Sequence, residues 1–389
     1  MTALAPTPAS TAPSTGVGKV LMVSTSYPVD LQDWRGLFMR HLADALGRHP
    51  ELALSLWAPV GESSSNVHFD VAPDERQWLA ELMAAGGIAH LMRRNGVRGL
   101  GSAVHLLRCL RRVYRRNADA GVFHVNWLQN ALPLPRGTQP LLVTVLGTDM
   151  QLLRLPGMRA LLRRVFRARP VAICPNADWM LPELEQAFGD IADIRFVPFG
   201  IDPRWYALER DFESQSLPQW LCVSRLTRGK LGTLFEWTEP VFARGQAQLH
   251  LFGPMQEQVT LPDWVHWRGP ASPDALRDTW FPQATGLITL SQHAEGRPQV
   301  MLEALAAGLP IVASRLPAHD DLLASDDGGV LCDDAAATQA ALARLADPIA
   351  NRTLGARGRA RMQATIGTWD DCADRYVALY RLLQERARR

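Results

Sequence analysis

Two hydrophobic patterns alternate along the chain. Short uninterrupted apolar runs, such as residues 20–24, end at small or polar residues, and stretches with apolar side chains three and four positions apart, such as 36–46, follow them. The runs predict buried β-strands, and the stretches predict amphipathic helices. Because a strand that is apolar on both faces needs cover on both faces, the alternation indicates parallel sheets flanked by helices.

The alternation occurs in two series, separated by a polar and aperiodic stretch at 203–217. We therefore predict two doubly wound α/β domains at 19–203 and 218–366, a disordered tail rich in Ala, Pro, Ser and Thr at 1–18, and a last helix at 367–389. Such domains bind ligands outside the carboxyl ends of their strands, so the site is expected in the cleft between them. The predicted strands are 20–24, 52–57, 122–125, 141–145, 171–174 and 194–197, then 220–223, 248–252, 265–267, 286–290 and 310–313.

Composition excludes several classes of protein. The 41 basic and 39 acidic residues leave a net charge of +2, so no nucleic acid partner is expected. The five cysteines are scattered without a C-x-x-C pair, which favours buried thiols and predicts no metal site. No apolar run is long enough to span a bilayer, so a cytoplasmic protein is expected.

The segment from Glu295 to Ser314 carries the strongest chemical signal. Pro298 suits the first turn of a helix and Gly308 suits its C-terminal cap. Glu295 and Glu303 bracket the start of this predicted helix, where free backbone amides attract phosphate. An anion site with two carboxylate acceptors for hydroxyl groups suits a sugar nucleotide.

This segment resembles the signature of the retaining GT-B glycosyltransferases of family 4, the glycosyl transferases group 1. In that signature a Glu, seven residues and a second Glu precede a small-residue helix and a strand that begins with proline, as Pro310 does here. The resemblance covers nearly the whole chain, although the N-terminal half matches loosely. It implies two Rossmann-like domains facing a cleft, the first for the acceptor and the second for the nucleotide-sugar donor, and a C-terminal helix that crosses back to the first domain.

The resemblance also implies roles for the C-terminal residues. Glu295 matches the carboxylate that contacts hydroxyls of the transferred sugar, and Glu303 matches the one that holds the ribose. The family commonly has Gly-Phe-Gly after the first Glu, whereas Pro298 stands third here and has no N–H to donate. The expected donor-binding residues are Gly36, Gly296, Arg297, Gln299, Val300 and Glu303.

Two cations follow the predicted strand at 220–223. Arg225 and Lys230 resemble the family's Gly-Arg-Leu…Lys-Gly element, with Ser224 in place of the glycine, and this element neutralises the donor diphosphate. Positioned cations can stabilise a departing nucleoside diphosphate without a metal ion. We therefore expect catalytic roles for Arg225 and Lys230 beside Glu295, and no cofactor other than the donor substrate.

The N-terminal half offers weaker signals, for each of which a structural role remains open. The amide of Gly36 can face the diphosphate at the start of a helix, or Gly36 can be a plain turn. His124 and Asn126 match a family position for acceptor binding, or they are structural. Asp149 matches the family's His-Gly-x-Asp segment, in which Leu146 replaces the histidine, and it can act as a catalytic base or as a helix cap.

Two arginine-rich helices complete the sequence signals. One predicted helix gathers five arginines opposite an apolar stripe, and a second has the same composition. Such faces suit an anionic membrane surface on the inner face of the plasma membrane, or they are only solvated. The arginines are Arg108, Arg111, Arg112, Arg115 and Arg116, then Arg159, Arg163, Arg164, Arg167 and Arg169.

These observations together predict a function. We expect retaining, metal-independent transfer of a hexose-type sugar from a nucleoside-diphosphate sugar to a saccharide or lipid-linked saccharide acceptor, in the assembly of a surface polysaccharide or glycolipid. Two alternatives remain: a non-catalytic nucleotide-sugar binding protein, which Leu146 and Pro298 favour, and a GT-B sugar-nucleotide epimerase. The retained Arg225, Lys230 and glutamates oppose the first.

Overall fold

Two parallel sheets organise the computed structural model, which describes residues 16–85, 97–323 and 327–389. The seven-stranded sheet has the order β3-β2-β1-β4-β5-β6-β7, and the six-stranded sheet has the order β10-β9-β8-β11-β12-β13. Residues 1–15 of the expected tail lie outside the described residues. The strands are β1 Gly18–Val23, β2 Leu52–Trp57, β3 Val67–Phe69, β4 Val122–Asn126, β5 Leu141–Val145, β6 Val171–Pro175, β7 Asp193–Ile194, β8 Gln219–Val223, β9 Gln248–Phe252, β10 Val265–Gly269, β11 Gly286–Thr289, β12 Ile311–Ser314 and β13 Gly329–Cys332.

Helices connect the strands and cover both faces of each sheet. The helices of the first domain are α1 Leu37–Arg48, α2 Pro73–Ala84, α3 Val97–Arg116, α4 Gly147–Leu152, α5 Met158–Phe166 and α6 Leu181–Phe188. Those that follow are α7 Pro203–Tyr206, α8 Arg228–Leu231, α9 Leu234–Phe242, α10 Pro273–Ala275, α11 Gln299–Ala306, α12 Pro317–Leu323, α13 Ala335–Leu345, α14 Pro348–Thr365 and α15 Trp369–Arg388. A short π-helix, Leu276–Trp280, continues α10.

Continuous apolar strands form the centre of each domain because both of their faces are covered. Every residue of β4, β5 and β6 is buried, as the uninterrupted hydrophobic runs predict. Each strand order reverses at one place, between β1 and β4 in the first sheet and between β8 and β11 in the second. Ligand crevices open at such reversals, so the segments that leave these four strands are the candidates for a site.

The last helix returns to the first domain. Thr368 caps α15 and forms a reciprocal pair of hydrogen bonds with Asp371. Tyr376 and Tyr380 on this helix are completely buried in a core of the first domain. The predicted fold class, with two doubly wound domains and a C-terminal helix that crosses back, is confirmed.

Some elements differ from the sequence predictions. The polar stretch at 203–217 contains α7, capped by Asp202, and it places Trp205, Leu208 and Phe212 in a core of the second domain. The expected strand at 194–197 is reduced to Asp193–Ile194, and the short strands β3 and β13 have no counterpart among the predicted strands. Few residues in these strands leave too short an apolar pattern to detect.

Some arginines of the two arginine-rich helices form ion pairs, and others do not. On α3, Arg112 pairs with Asp74 at 3.0 Å, and Arg116 pairs with Asp70 and Glu75, both at 2.9 Å. Arg108, Arg111 and Arg115 are exposed and form no ion pair with the described residues. In the second set, Arg159 pairs with Glu183, Arg163 pairs with Asp190, and Arg169 is buried against the carbonyl of Pro135. None of the described helices is both long and apolar enough to cross a bilayer.

Candidate active site

A cavity of about 400 Å³ lies between the two domains. Its wall on the first domain is mostly apolar, and its wall on the second domain is mostly polar and charged. The segments that leave β1, β4, β8 and β11, the strands beside the two reversals of strand order, all contribute to its lining, together with segments that leave β5, β6 and β7. The first wall includes Trp34, Phe38, Trp127, Leu146 and Phe199, and the second includes Arg225, Lys230, Glu295, Gly296, Arg297 and Gln299.

Helix α11 begins at this cavity. Pro298 is its N-terminal cap residue, and Met301 donates a 3.1 Å backbone hydrogen bond to the carbonyl of Pro298. The amides of Gln299 and Val300 precede this bond, at the end of the helix that attracts anions. The side chain of Gln299 instead crosses to the first domain's side and donates to the carbonyl of Gly200 at 3.0 Å.

Lys230 and Glu295 form an ion pair at the cavity wall. Their side chains are 12% and 15% exposed, respectively. Burial lowers the pKa of Lys230, and the neighbouring Glu295 carboxylate opposes this shift. Thr227 caps α8 through a 3.2 Å hydrogen bond from the Lys230 amide, and this cap fixes the backbone that carries the ammonium group.

Arg225 adds a second cation to the same wall. Its guanidinium group makes one long hydrogen bond of 3.4 Å to Gln256. Arg225 and Lys230 both line the cavity, and the coulombic field of Arg225 helps to lower the pKa of Lys230. This wall is therefore electropositive apart from Glu295, as a diphosphate requires.

Glu303 lines a neighbouring, smaller cavity. The residues that share this cavity include His41, Asp202 and Arg204. Burial, together with the nearby charge of Asp202, raises the pKa of Glu303 to about 8. Glu295, in the loop before α11, and Glu303, on the second turn of α11, thus face adjacent spaces. A ligand that contacts both must extend from one space into the other.

Arg297 does not point freely into the main cavity. Its side chain is 4% exposed, and its guanidinium group forms an ion pair with Asp321 at 2.5 Å. The same group lies 4.9 Å from the ring centroid of Phe196. The charge of Arg297 is therefore neutralised by Asp321, which also accepts a 3.3 Å hydrogen bond from the amide of Asp178. Contact of Arg297 with the donor stays a prediction.

The two domains touch at Gly296. Its carbonyl accepts a 2.9 Å hydrogen bond from the indole N–H of Trp179 in the first domain. Gly147 lies against the same loop, and a Cβ atom there would overlap the amide of Gly296 and lie 2.6 Å from the carbonyl carbon of Glu295. Only a glycine at position 147 allows this closeness.

Gly36 begins α1 in the left-handed conformation, with φ of 73°. A Cβ atom there would lie 3.0 Å from the amide of Tyr27. Gly36 is buried and does not line the main cavity. Its conformation accounts for the glycine, and its contact with a diphosphate stays a prediction.

His124 and Asn126 lie beneath the cleft instead of in it. Both side chains are completely buried. The ring nitrogens of His124 bond to Tyr380 at 2.6 Å and to Thr144 at 2.8 Å, and burial lowers the pKa of His124 to about 3. Asn126 donates to the carbonyl of Val23 at 3.0 Å. The structure therefore favours the structural alternative for both residues, because these side chains join strands and the last helix.

Asp149 is also buried, with 1% exposure. Its two oxygens accept hydrogen bonds of 2.8 Å from the amides of Leu128 and Leu146. Burial raises the pKa of Asp149 to about 7, against the lowering effect of these two bonds. The structure therefore favours the cap alternative over a catalytic base, and Leu146 occupies the cavity wall above Asp149.

The apolar wall was not predicted from the sequence. Its aromatic residues follow predicted strands or begin predicted helices. Their positions near the carboxyl ends of strands are the one sequence feature that could have identified them as lining residues. Over the described ranges, no three His, Cys, Asp or Glu side chains come together in a way that could hold a metal ion.

Known proteins share this fold and part of this sequence. Residues 218–347 match the family model described as "Glycosyl transferases group 1". Sucrose-phosphate synthase from Thermosynechococcus elongatus is 19% identical, with a TM-score of 0.68 over 95% of this chain and 100% of that one. The UDP-forming α,α-trehalose-phosphate synthase from Burkholderia xenovorans is 14% identical, with a TM-score of 0.65 over 95% of this chain and 99% of that one.

A third similar structure is HepE of Anabaena in complex with UDP and glucose, which is 12% identical with a TM-score of 0.61 over 92% of this chain and 98% of that one. No curated protein sequence matches this chain. The chain therefore has the GT-B fold of two Rossmann-like domains, and its second domain contains the segment that is similar to the glycosyl transferases group 1.

Proposed function

We propose that this protein is a retaining glycosyltransferase that moves a hexose-type sugar from a nucleoside-diphosphate sugar to a saccharide or lipid-linked saccharide. The observation that carries the proposal is the ion pair of Lys230 and Glu295 beside the N-terminus of α11, in the cavity between the domains. A cation for a diphosphate and an acceptor for sugar hydroxyls are then adjacent.

The second domain supplies the donor site in this proposal. Lys230, Arg225 and the amides of Gln299 and Val300 bind the diphosphate, Glu295 accepts hydrogen bonds from hydroxyls of the sugar, and Glu303 accepts them from the ribose. The leaving diphosphate gains negative charge as the bond to the anomeric carbon breaks. Cations and amides that already point at it stabilise that charge without reorganisation.

A front-face reaction gives retention with these groups. The acceptor oxygen bonds to the anomeric carbon on the face from which the diphosphate leaves, and the hydroxyl proton passes to a phosphate oxygen. The burial of Asp149 beneath Leu146 supports this route, because it removes that carboxylate as a base in the cleft. Glu295 is held by Lys230, which suits a binding role better than attack on the sugar.

Metal independence and location complete the proposal. Two cations line the cavity, so the charge of the diphosphate can be met by side chains. The neighbour with UDP and glucose supports a nucleotide sugar as the donor. We place the protein in the cytoplasm, at the inner face of the plasma membrane, where Arg108, Arg111 and Arg115 attract anionic lipid and the product enters a surface polysaccharide or glycolipid.

The test is hydrolysis of nucleotide sugars without acceptor. UDP-, ADP- and GDP-linked glucose, galactose, mannose and N-acetylglucosamine are incubated with the protein, with EDTA and with Mg²⁺. Slow release of the nucleoside diphosphate, with the sugar's anomeric configuration retained by NMR and no effect of EDTA, is expected. A sugar inverted at C2 would indicate an epimerase, silence with tight binding would indicate a binding protein, and loss in EDTA would overturn metal independence.

A further inference from the structure

Trp127 adopts a backbone conformation that bulky residues rarely occupy. Its φ is 67° and its ψ is 130°, and it is the one non-glycine residue with positive φ in the ranges that the structure describes. A large side chain at positive φ is strained and persists only where the surroundings over-determine it. Such residues cluster at ligand sites, so the contacts on each side of Trp127 matter.

Buried hydrogen bonds hold the backbone on both sides of Trp127. Its amide donates to the carbonyl of Thr144 at 3.0 Å, and its carbonyl accepts from the amide of Asn130 at 3.1 Å. The next amide, that of Leu128, donates to Asp149 at 2.8 Å. These bonds fix Trp127 between the end of β4 and the start of α4.

Two asparagines complete this support. Asn126 donates to the carbonyl of Val23 at 3.0 Å, and the side chain of Asn130 donates to the carbonyl of Asn126 at 2.7 Å. Both side chains are completely buried. Asn126, Asn130 and Asp149 thus hold the backbone that carries Trp127.

The ring of Trp127 lies on the apolar wall of the cavity. It packs against a core of the first domain and also lines the space that Lys230 and Glu295 line from the other domain. Phe38, Leu146 and Trp34 continue this wall. A hydroxyl group that pointed at this surface would lose its hydrogen bonds to water without compensation, so the surface selects against that orientation.

We infer that Trp127 is a specificity-determining platform for the acceptor, on which a pyranose ring rests with its C–H face. The inference rests on the proposed function. A pyranose with equatorial hydroxyls presents apolar C–H bonds on its faces and hydroxyls at its rim. The Trp127 ring covers one face, while the rim points along the cavity towards the anomeric carbon of the donor.

The test compares three variants, Trp127→Ala, Trp127→Phe and Trp127→Gly, with the wild type. Trp267→Ala is the matched control, because Trp267 is a 45% exposed tryptophan in the second domain. Acceptor-free hydrolysis of the best nucleotide sugar is measured first. Transfer to methyl β-D-glucopyranoside and to p-nitrophenyl β-D-glucopyranoside is measured next, and binding of both glycosides in the presence of UDP is followed by calorimetry.

We expect Trp127→Ala to raise the acceptor KM at least tenfold, a much larger effect than its effect on donor hydrolysis. Trp127→Phe keeps most of the acceptor affinity, and the control variant keeps all of it. Trp127→Gly loses the acceptor like the alanine variant but has a higher Tm than that variant, because glycine adopts the positive φ without strain. The Tm comparison separates loss of the ring from damage to the fold.

An unchanged acceptor KM in Trp127→Ala overturns the inference, and so does an equal loss of donor hydrolysis and transfer. Failure of the wild type to hydrolyse any nucleotide sugar overturns the proposed function instead. In that case calorimetry of glycoside binding still tests the role of Trp127. Binding that is lost in Trp127→Ala and retained in Trp127→Phe supports the inference. Binding that is equal in all variants, or absent from the wild type, overturns it.

Discussion

The ammonium group of Lys230 and the carboxylate of Glu295 neutralise each other across the cavity wall, although they come from segments that follow different strands, β8 and β11. A bound diphosphate competes with Glu295 for the ammonium group. The affinity for the nucleotide therefore depends on the difference in free energy between the contact of Lys230 with the diphosphate, which is gained, and its contact with Glu295, which is lost.

Replacement of Lys230 tests this competition. We expect Lys230→Met to weaken UDP binding about 10- to 150-fold, because a hydrogen bond to a charged group contributes about 1.5–3 kcal/mol. Calorimetric titration measures the change. Lys19→Met is the control, since Lys19 is the chain's only other lysine and pairs with Asp119 away from the cleft. Equal UDP affinities in the two variants would exclude Lys230 from the diphosphate site.

Glu303 predicts a pH-dependent stability. Burial raises its pKa to about 8 from an ordinary 4.5, so the folded protein retains a proton that the unfolded chain has released. The contribution of Glu303 to stability is therefore undiminished below pH 4.5 and is lost as the pH rises towards 8. Glu303→Gln should raise the free energy of unfolding by about 1–3 kcal/mol at pH 8.5 and leave it unchanged at pH 4.

Chemical denaturation of both proteins across this pH range provides the measurement for Glu303. Only the difference between wild type and variant is used, because it cancels the titration of all other groups. A difference that does not change between pH 4 and pH 8.5 would mean that the carboxyl group titrates normally.

The closeness of the domains at Gly147 predicts a variant that folds but does not close. The methyl group in Gly147→Ala would overlap the loop at Gly296, so we expect the domains to stay apart. Misplacement of about 1 Å can reduce kcat on the order of 100-fold. Small-angle scattering should show a larger radius of gyration, while the Tm changes little.

Gly101→Ala is the control for the effect of an added methyl group. Gly101 lies in α3, and a Cβ atom there would meet no atom within 4 Å. This change should leave kcat unaltered and raise the free energy of unfolding by about 0.5–1 kcal/mol. If Gly147→Ala kept the wild-type kcat, the contact of the two loops would not be needed for turnover.

Because Arg297 and Asp321 form a buried ion pair, we expect the effects of replacing them on stability to be non-additive. Their side chains are almost completely buried, so Arg297→Met leaves Asp321 without its cation and should cost about 3–5 kcal/mol of stability. The double variant with Asp321→Asn should recover part of this loss. Arg315→Met is the control, because Arg315 pairs with Asp333 at the surface, where such pairs contribute about 0–1 kcal/mol. If the stability losses of the two single variants simply added up in the double variant, the two side chains would not be coupled.

The exposed arginines of α3 predict salt-sensitive membrane binding. Arg108, Arg111 and Arg115 contribute about 1 kcal/mol each near an anionic surface. Co-sedimentation with liposomes should increase with the fraction of phosphatidylglycerol and decrease with ionic strength. Replacement of the three by glutamine should abolish it, whereas the same change at Arg244, Arg344 and Arg357, which are exposed in the second domain, should not. Equal binding by both triple variants would remove α3 as the docking face.

The sequence predicted those features that depend on local pattern. Continuous apolar strands, the start of α11 near Pro298 and the Lys230 segment at the end of β8 are encoded within a few neighbouring residues. Asp149 shows the limit: its position at a strand end was clear, but the amide of Leu128, 21 residues away, decides that its carboxylate turns inward.

Partners from distant elements also determine which arginines are neutralised. Asp321 on α12 binds the guanidinium group of Arg297, a contact that the sequence pattern does not indicate. The helical spacing predicts that Arg112 and Arg116 lie on one face of a helix, and in the structure Glu75 on α2 neutralises part of their charge. Long-range ion pairs leave no periodic trace in the sequence, so only the fold shows which charges remain available.

The return of α15 also affects the order in which the protein can be built. His124 bonds to Tyr380, which lies 256 residues later in the chain, and Tyr376 bonds to Thr144 in the same core. At about 5–20 residues per second, a ribosome needs roughly 13–50 s to synthesise that interval. During this time the first domain lacks part of its interior while the second is being made. The domain that is translated first is therefore completed last, and a nascent chain exposes an apolar face that chaperones can recognise.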